Sequence, residues 1–490
     1  MTFFLGIDLG ASSLKATIVD EAGHFIGQAR ASIATTHPQT GYAEQDPEAW
    51  VAALLSACAD LRHQNASVYA NITTIAMSGG AHIAVLCDAD DTPLRPAILW
   101  SDQRAAPQAQ QLQEDGQAEA ISGNRPNATW TLAQLMWLRQ HQPEIISQCQ
   151  RLYFAKDWLR ARLTNIWQSD SGEATGSMLA DYRTGLWSPP LIEMAGLRPD
   201  VLPPLVTPMA EAGTLTPQAA QETGLTAGIQ ILQGTIDTTM EWLCCAPLSP
   251  HTASLKLASA GVLAISTPHQ RAKKQIQKQA QPLPPLSLYP HILPEAVYYA
   301  AGMNQCVPAL TWVREVLLGD IAQDDMRRLA ETAPLGAGGV LFHPYLSGER
   351  APLWQADATA SLHGLHRGST NADIARAAYE GIGFAFCDIW HDMSEQLPQM
   401  PDALFVLGGG AQCDFWCQIL TDMLGVPLTR GAQSTQGDAS FAGALLAGVG
   451  AGAFTLSDIK QTDFTIFTPD KDCHSRYCQV YDDYKLWRKK

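Results

Sequence analysis

The chain has 490 residues, of which 46% are hydrophobic and 16% are charged, and its 32 basic and 48 acidic residues give a formal net charge of −16. This composition is typical of a folded globular protein, and the length predicts roughly two to four domains. So much negative charge disfavours phosphate backbones and anionic lipid, so we expect no nucleic-acid or membrane partner. The N-terminus lacks the basic segment and long apolar run of a signal peptide, which predicts a cytoplasmic protein.

The first thirty residues predict a β-hairpin. Residues 3–7 form an apolar strand, residues 8–13 a turn rich in small residues, and residues 14–20 the return strand. The pattern further predicts a helix that begins after Asp46 and strands at residues 72–77 and 83–87.

A second strand-rich unit begins after the breaker cluster Pro-Leu-Ser-Pro at residues 247–250, which we take as a domain boundary. Over residues 253–265 it again opens with a strand, a turn of small residues and a second strand. Two α/β halves that each begin in this way indicate an internal duplication. Residues 269–294, rich in Gln, Lys and Pro, are expected to have no core of their own. A helix at residues 371–389 and a strand at residues 403–407 complete the pattern.

Three turns carry residues that could take part in chemistry. The Gly/Ser turn after Asp8 exposes amides and hydroxyls that could hold a phosphate, with Asp8 beside a hydrated Mg²⁺; an ordinary solvated hairpin is the alternative. Asp237 follows an apolar strand and is either a general base or a plain helix N-cap. The glycines at residues 408–410 allow close approach of a ligand to a helix N-terminus, although neither a GxGxxG nor a GxxxxGK[ST] motif is present.

Two further groups have modest structural interpretations when taken alone. Glu349 and Arg350 lie in a turn that ends at a proline, where a surface ion pair is the simplest reading. His82, Trp100 and Asp102 follow apolar strands of the first half, and a single histidine in such a place is more often structural than a ligand.

Taken together and in this order, the segments resemble the FGGY family of carbohydrate kinases nearly from end to end. The matching segments are residues 6–15, 44–50, 96–104, 156–157, 169–170, 347–352, 364–380 and 408–411, together with Asp237.

The resemblance implies an α/β fold of two ribonuclease-H-like domains about a central cleft. Residues 1–247 would bind the sugar, residues 253–450 would bind ATP, and residues 451–490 would form a helical extension. It makes Asp237 the catalytic base and assigns Mg²⁺ to Asp8 and Asp237. It also implies a homodimer. The sugar-binding residues would be Ala81, His82, Trp100, Asp102 and Asp237. The nucleotide-binding residues would be Ser12, Ser13, Lys15, Ser259, Gly261, Thr311, Gly409, Gly410, Ala411 and Asp414.

The same resemblance bears on the substrate. Residues 80–82 (Gly-Ala-His) stand where the family's xylulokinases carry Gln-Met-His, and residues 100–104 are close to their Trp-Asn-Asp-x-Arg. This favours a ketopentose such as D-xylulose, phosphorylated at its terminal hydroxyl to D-xylulose 5-phosphate. Residues 348–354 resemble the family's gluconate kinases equally well, so gluconate or another pentulose or polyol is the alternative.

Three departures from the family pattern keep a non-catalytic alternative open. Ala11 replaces a usual Thr, residues 258–260 read Ala-Ser-Ala instead of Gly-Thr-Ser, and bulky residues follow Asp237 where xylulokinases have small ones. A sugar- or nucleotide-binding regulator on a kinase fold is therefore a second class of function, and ATP hydrolysis coupled to protein partners is a third. The presence of both Asp8 and Asp237 favours the enzyme.

Overall fold

The computed structural model describes residues 1–245, 248–269, 286–355, 357–397, 399–431, 438–459 and 464–488. Within these ranges no helix is long and apolar enough to cross a membrane. The predicted boundary at residues 247–250 lies partly outside the described residues, as does most of the segment 269–294.

The first half of the chain is built around a six-stranded sheet with the order β13-β14-β5-β1-β2-β3. Its strands, with the short ones outside this sheet, are β1 (Phe3–Leu9), β2 (Ser13–Asp20), β3 (Phe25–Ser32), β4 (Glu44–Gln45), β5 (Ile72–Gly79), β6 (Ala84–Cys87), β7 (Ala97–Ile98), β8 (Arg151–Phe154), β9 (Ser169–Asp170), β10 (Ala180–Asp181), β11 (Leu186–Trp187), β12 (Leu205–Val206), β13 (Glu211–Thr214) and β14 (Gln230–Ile236).

Its helices are α1 (Pro47–Gln64), α2 (Ala66–Tyr69), α3 (Ala106–Asp115), α4 (Gln117–Ser122), α5 (Thr131–His141), α6 (Pro143–Gln148), α7 (Ala155–Thr164), α8 (Ser171–Gly176), α9 (Pro189–Ala195), α10 (Pro217–Thr223) and α11 (Asp237–Met240), and a 3₁₀ turn follows at Glu241–Cys245. Helix α1 begins as predicted, because Asp46 Oδ1 accepts a hydrogen bond of 3.0 Å from the Glu48 amide and Pro47 occupies the first helical position.

The second half contains a seven-stranded sheet with the order β17-β18-β16-β15-β21-β22-β23. The strands of this half are β15 (Ala253–Leu257), β16 (Gly261–Pro268), β17 (Ser287–Pro290), β18 (Ala296–Met303), β19 (Leu341–His343), β20 (Ser361–His363), β21 (Leu404–Leu407), β22 (Leu428–Gly431) and β23 (Phe464–Phe467). Its helices are α12 (Val307–Trp312), α13 (Gln323–Thr332), α14 (Asn371–Gln396), α15 (Asp414–Leu424), α16 (Ala439–Gly450) and α17 (Lys471–Arg488).

The two large sheets repeat one strand order. Strands β3-β2-β1 are antiparallel, β5 and β14 continue in parallel, and β13 closes the edge antiparallel. Strands β18-β16-β15, then β21 and β22, then β23 follow the same directions. This repetition agrees with the predicted duplication and confirms the α/β class.

Helix α16 connects the two halves. It belongs to the second half by sequence, yet it packs on β1, β5 and β2 of the first sheet. A buried cluster at this junction unites residues of both sheets, among them Phe4, Leu232, Ala264 and Leu446. The close approach is possible because Gly6 of β1 has no side chain to obstruct the backbone of α16.

One prediction for the second half needs correction. Residues 451–490 are not purely helical, because β23 forms the edge strand of the second sheet before helix α17 begins. The described end of the segment 269–294 also contributes to the core: β17 pairs with β18, and Leu286 and Leu288 are buried in the second-half core. Strands β17 and β23 are short and have polar neighbours along the chain, so their apolar pattern did not predict them.

Candidate active site

The turn between β1 and β2 brings polar groups to the end of the first sheet. Asp8 pairs across the hairpin with Lys15. The Gly10 amide donates a hydrogen bond of 3.1 Å to the Ser13 carbonyl, which closes the turn. Ser12 is exposed at the tip, whereas Ser13 is buried. The turn therefore presents the Ser12 hydroxyl and the Lys15 ammonium group near Asp8.

Asp8 occupies a buried position that favours a positive neighbour. Its Oδ1 atom has no hydrogen-bond partner among the residues that the structure describes. Burial raises the pKa of Asp8 to about 7; Asp237 and Asp438 add to the rise, and Lys15 and Lys256 oppose it. A carboxyl group in this setting binds a proton unless a cation compensates its charge.

Asp237 is held at both carboxylate oxygens. It is the first residue of α11, after the N-cap Ile236, so it is not itself the N-cap. Its Oδ1 accepts hydrogen bonds from the Thr238 amide (2.7 Å) and hydroxyl (3.1 Å). Its Oδ2 lies 3.3 Å from Nζ of Lys256, which also lies 2.8 Å from Oε2 of Glu241. Because Lys256 comes from β15, this ion pair joins the two halves of the chain.

The electrostatics of this group keep Lys256 charged. Burial alone would lower the pKa of Lys256, but Asp237, Glu241 and Asp8 outweigh it and raise the pKa above its usual value. Burial raises the pKa of Glu241 to about 7, and Lys256 opposes that rise. The ammonium group of Lys256 therefore offsets the charge of three carboxyl groups, those of Asp237, Glu241 and Asp8.

A small cavity of about 30 Å³ lies where a sugar hydroxyl could bind. His82 lines this cavity and has a positive φ of 54°. Its ring stacks on that of Trp130, with the two ring centroids 5.0 Å apart. Its backbone amide donates to Oε2 of Glu173 over 2.7 Å, and its Nδ1 has no partner in the described part of the chain. Burial, with Arg350 nearby, lowers the pKa of His82 to about 4, so the ring is neutral near pH 7. The lining residues are His82, Asn127, Thr129, Trp130, Ser287, Tyr289, Gly302, Arg350 and Trp354.

The segment 156–173 supports this cavity from beneath. Nζ of Lys156 lies 2.7 Å from Oδ1 of Asp157 and 2.7 Å from Oδ2 of Asp170, and all three side chains are buried. Glu173, which holds the His82 amide, belongs to the same charged cluster. Residues 156–173 therefore do not line the cavity but hold the backbone of His82 in place.

Glu349 and Arg350 are not the surface ion pair that the sequence suggested. Glu349 is buried, and its Oε1 accepts hydrogen bonds from the backbone amides of Asn304 (2.6 Å) and Arg350 (2.8 Å). Nε of Arg350 donates to Oδ1 of Asn304 over 2.8 Å, and its guanidinium lies 5.8 Å from the Trp100 ring centroid. The second half of the chain thus supplies a cation to the cavity of His82.

The predicted sugar-binding residues divide into two sets. Ala81 and Trp100 are partly exposed beside His82 and Arg350. Asp102, in contrast, is fully buried. Its Oδ1 accepts hydrogen bonds from the backbone amide and Nε of Arg104, and its Oδ2 accepts them from Nη2 of Arg104 and from the Ala43 amide. These hydrogen bonds use both oxygens of Asp102 in this conformation and favour a structural role, so its contact with a sugar stays a prediction.

A larger cavity of about 1340 Å³ is lined by half of the ten predicted nucleotide-binding residues. Among its lining residues are Ser259, Thr311, Gly409, Gly410 and Asp414. No residue that the structure describes lies within 4 Å of a Cβ built on Gly409, so the backbone there can be approached by a ligand.

Two predicted residues lie behind this cavity instead of lining it. Ala411 is buried, and its carbonyl accepts a hydrogen bond of 2.7 Å from Arg430. Gly261 is also buried, where a Cβ would meet Phe386 and Met303 at 2.6 and 2.7 Å. Both residues shape the wall of the cavity through close packing, and their direct contact with the nucleotide stays a prediction.

Comparison with known sequences identifies the fold and the activity class. A model of the FGGY carbohydrate-kinase N-terminal domain matches residues 3–244, and one of the C-terminal domain matches residues 261–451. The chain belongs to the FGGY family of carbohydrate kinases. It is thus a phosphotransferase with the two-domain sugar-kinase fold, as the sequence predicted.

Individual relatives of this FGGY kinase cover nearly the whole chain. A xylulose kinase of Staphylococcus epidermidis is 29% identical over 98% of this chain and 95% of its own. An L-xylulose/3-keto-L-gulonate kinase of Escherichia coli is 28% identical over 99% and 96%. The crystal structure of a xyloylose kinase from Brucella ovis has a TM-score of 0.89 at 29% identity, covering 99% of this chain and 98% of that one.

Sequence reasoning on this FGGY kinase missed several residues of the site. Lys256 lies in a strand that was identified only by its apolar residues, and Glu241 was considered only for its bulk. Asp438 is distant along the chain from Lys15, with which it pairs at 3.4 Å. Arg30 of β3 lines the large cavity and pairs with Lys15 of β2 in the register of the first sheet.

Proposed function

We propose that the chain transfers the γ-phosphoryl group of ATP to the terminal hydroxyl of D-xylulose and releases D-xylulose 5-phosphate and ADP. The observation that carries this proposal is the place of Asp237. Its charge acts on His82 and Tyr289 of the small cavity. Its partner Lys256 directly precedes Leu257, which lines the large cavity. A base between a sugar cavity and a nucleotide cavity is what phosphoryl transfer to an alcohol requires.

The residues support a concerted proton transfer. A sugar hydroxyl is too weak an acid to ionise before it attacks, so Asp237 takes its proton as the new O–P bond forms. The bond between the γ-phosphorus and the β–γ bridging oxygen breaks, and ADP leaves with that electron pair. Lys15 and Ser12 of the first turn and Ser259 of the second offer donors for phosphate oxygens. Enclosure of the cleft excludes water, which would otherwise accept the phosphoryl group.

The carboxylates fit a divalent cation. Asp8 has a buried oxygen without a partner among the described residues, and Asp237 is close enough for its charge to raise the pKa of Asp8. Mg²⁺ needs only one or two protein carboxylates when substrate phosphates supply further oxygens. Held by Asp8 and Asp237, it would neutralise charge on the phosphates. The homodimer and the cytoplasmic location stay predictions.

A second candidate substrate carries a carboxylate. Arg350 places a guanidinium in the wall of the small cavity, and one relative is an L-xylulose/3-keto-L-gulonate kinase. A sugar acid could pair with this cation, which a neutral ketopentose cannot do. Gluconate belongs to the same class of acidic substrates.

Sugar-dependent release of ADP tests both candidates. The purified enzyme is assayed with Mg-ATP and D-xylulose, L-xylulose, D- and L-ribulose, 3-keto-L-gulonate, gluconate, glycerol or erythritol, and Asp237→Ala is the blank. We expect the highest kcat/KM with D-xylulose and a loss of about 10²- to 10⁴-fold in the variant. A preference for a sugar acid would transfer the assignment to that class. ATP binding without turnover of any candidate would contradict the proposal and favour the regulator.

A further inference from the structure

Lys256 contacts the catalytic base, yet it has no assigned role in the proposed phosphoryl transfer. Its Nζ lies 3.3 Å from Oδ2 of Asp237 and 2.8 Å from Oε2 of Glu241. The Lys256 side chain is 17% exposed and that of Glu241 is 8% exposed. A lysine confined in this way between two carboxylates has few alternative positions, so its contact with Asp237 is well defined.

The direction of the Lys256 side chain follows from the strand that carries it. Side chains of a β-strand alternate between its two faces. Leu255 and Leu257 are fully buried in the core of the second half. Lys256 must therefore face away from that core, towards Asp237, and a slip of the strand by one residue would expose both leucines. The hydrophobic core thus fixes where the ammonium group lies.

Glu241 holds the other side of this contact. It follows α11 by one residue, so one short segment presents both Asp237 and Glu241 to Lys256. Thr238 already fixes Oδ1 of Asp237 through two hydrogen bonds. Rotation of the planar carboxylate about its Cβ–Cγ bond would move both oxygens together, and the contact of Oδ2 with Lys256 opposes that rotation as well.

We propose that Lys256 is a positioning residue for the catalytic base: it orients Oδ2 of Asp237 towards the attacking hydroxyl, and Glu241 holds Lys256 in place. This inference rests on the proposed function. Because Lys256 belongs to β15 and Asp237 to α11, the contact also ties the orientation of the base to the domain that supplies the nucleotide cavity. The ammonium group further offsets three carboxyl groups where the anionic triphosphate must approach.

Steady-state kinetics of Lys256→Met separate this role from a merely structural one. A misplaced base slows the chemical step without weakening the binding of the sugar, so we expect kcat to fall about 10²-fold while KM for the sugar changes less than about threefold. Thermal unfolding and ATP binding are measured on the same samples. Lys256→Gln, which keeps a hydrogen-bond donor, is the second variant if Lys256→Met folds poorly. Lys485→Met, which removes an exposed ion pair with Asp482 on α17, is the matched control.

Chemical rescue and a double-mutant cycle sharpen the test. Ethylammonium added to Lys256→Ala should restore part of kcat in a saturable way and should have no effect on Asp237→Ala. Glu241→Gln should lower kcat by a smaller factor than Lys256→Met. The double variant should then be no slower than Lys256→Met, because both residues act through one contact.

The outcomes distinguish this inference from the proposed function. If the unaltered enzyme shows no sugar-dependent turnover, the proposed function fails. If it turns over normally and folded Lys256→Met keeps kcat within twofold, only the positioning role fails. A rise in the sugar KM with kcat unchanged, or rescue that is absent in a folded Lys256→Ala, would also overturn it.

Discussion

Gly6 of β1 and Ser440 of α16 are so close that a Cβ atom on Gly6 would lie 2.0 Å from the Ser440 carbonyl oxygen. The same Cβ atom on Gly6 would lie 2.1 Å from the backbone nitrogen of Ala444. Only glycine permits this contact, which lets helix α16 of the second half pack directly on the sheet of the first half.

The variant Gly6→Ala is therefore expected to be strongly destabilised. Both obstructing groups are backbone atoms that cannot rotate away, so the helix must move, at a cost of about 3 kcal/mol. Thermal unfolding measures the effect as a fall in Tm. Gly409→Ala is the control, because a Cβ at this position has no neighbour within 4 Å in the described part of the chain. Equal Tm values for the two variants would contradict this packing.

Replacement of His82 should weaken sugar binding more than catalysis. Its ring lies in the wall of the small cavity, where a substrate hydroxyl could bind to it, and its Nδ1 atom has no hydrogen-bond partner among the described residues. We expect His82→Ala to raise KM for the sugar about tenfold, the effect of one lost hydrogen bond to a neutral group. The KM for ATP should stay constant, and steady-state kinetics with each substrate varied in turn would show it. An unchanged sugar KM would remove His82 from the binding site.

Asp102 should behave in the opposite way. Asp102→Ala leaves the buried guanidinium of Arg104 with Glu44 as its remaining acidic partner and the Ala43 amide without its acceptor. Breaking such a buried pair costs about 3–5 kcal/mol, which should appear as a lower Tm. The folded fraction should keep the sugar KM of the unaltered enzyme. A large rise in KM without loss of stability would instead make Asp102 a sugar ligand.

Acid should destabilise the second half through His343. Burial lowers the pKa of His343 to about 4 from an ordinary value of 6.5. Between these values the unfolded chain binds a proton that the folded chain does not, so the contribution of His343 is complete above pH 6.5 and is lost as the pH falls towards 4. Replacing it with glutamine should make Tm less dependent on pH in this window. The exposed His63→Gln is the control, and equal slopes for both variants would contradict the assignment.

Much of this site could be predicted from the order of short motifs along the chain. Asp8 and Asp237 each follow an apolar strand, and that placement by itself brings them to the end of a sheet. The glycines at residues 408–410 likewise mark a backbone that a ligand can approach. The α/β class, the kinase family and the repeated hairpin follow from such local signals, because turns and strand periodicity are encoded by neighbouring residues.

What surrounds these residues was decided only by the tertiary structure. Asp102 carries the signature of a polar group at a strand end, yet Arg104 and the Ala43 amide consume its hydrogen-bonding capacity. Lys256 looks like an interruption of an apolar strand, yet the burial of its two leucine neighbours directs it at Asp237. Partners of this kind are separated along the chain and meet only when the two sheets pack about α16. Local sequence therefore determines which groups are available, whereas the packing of distant segments determines which of them remain free to act.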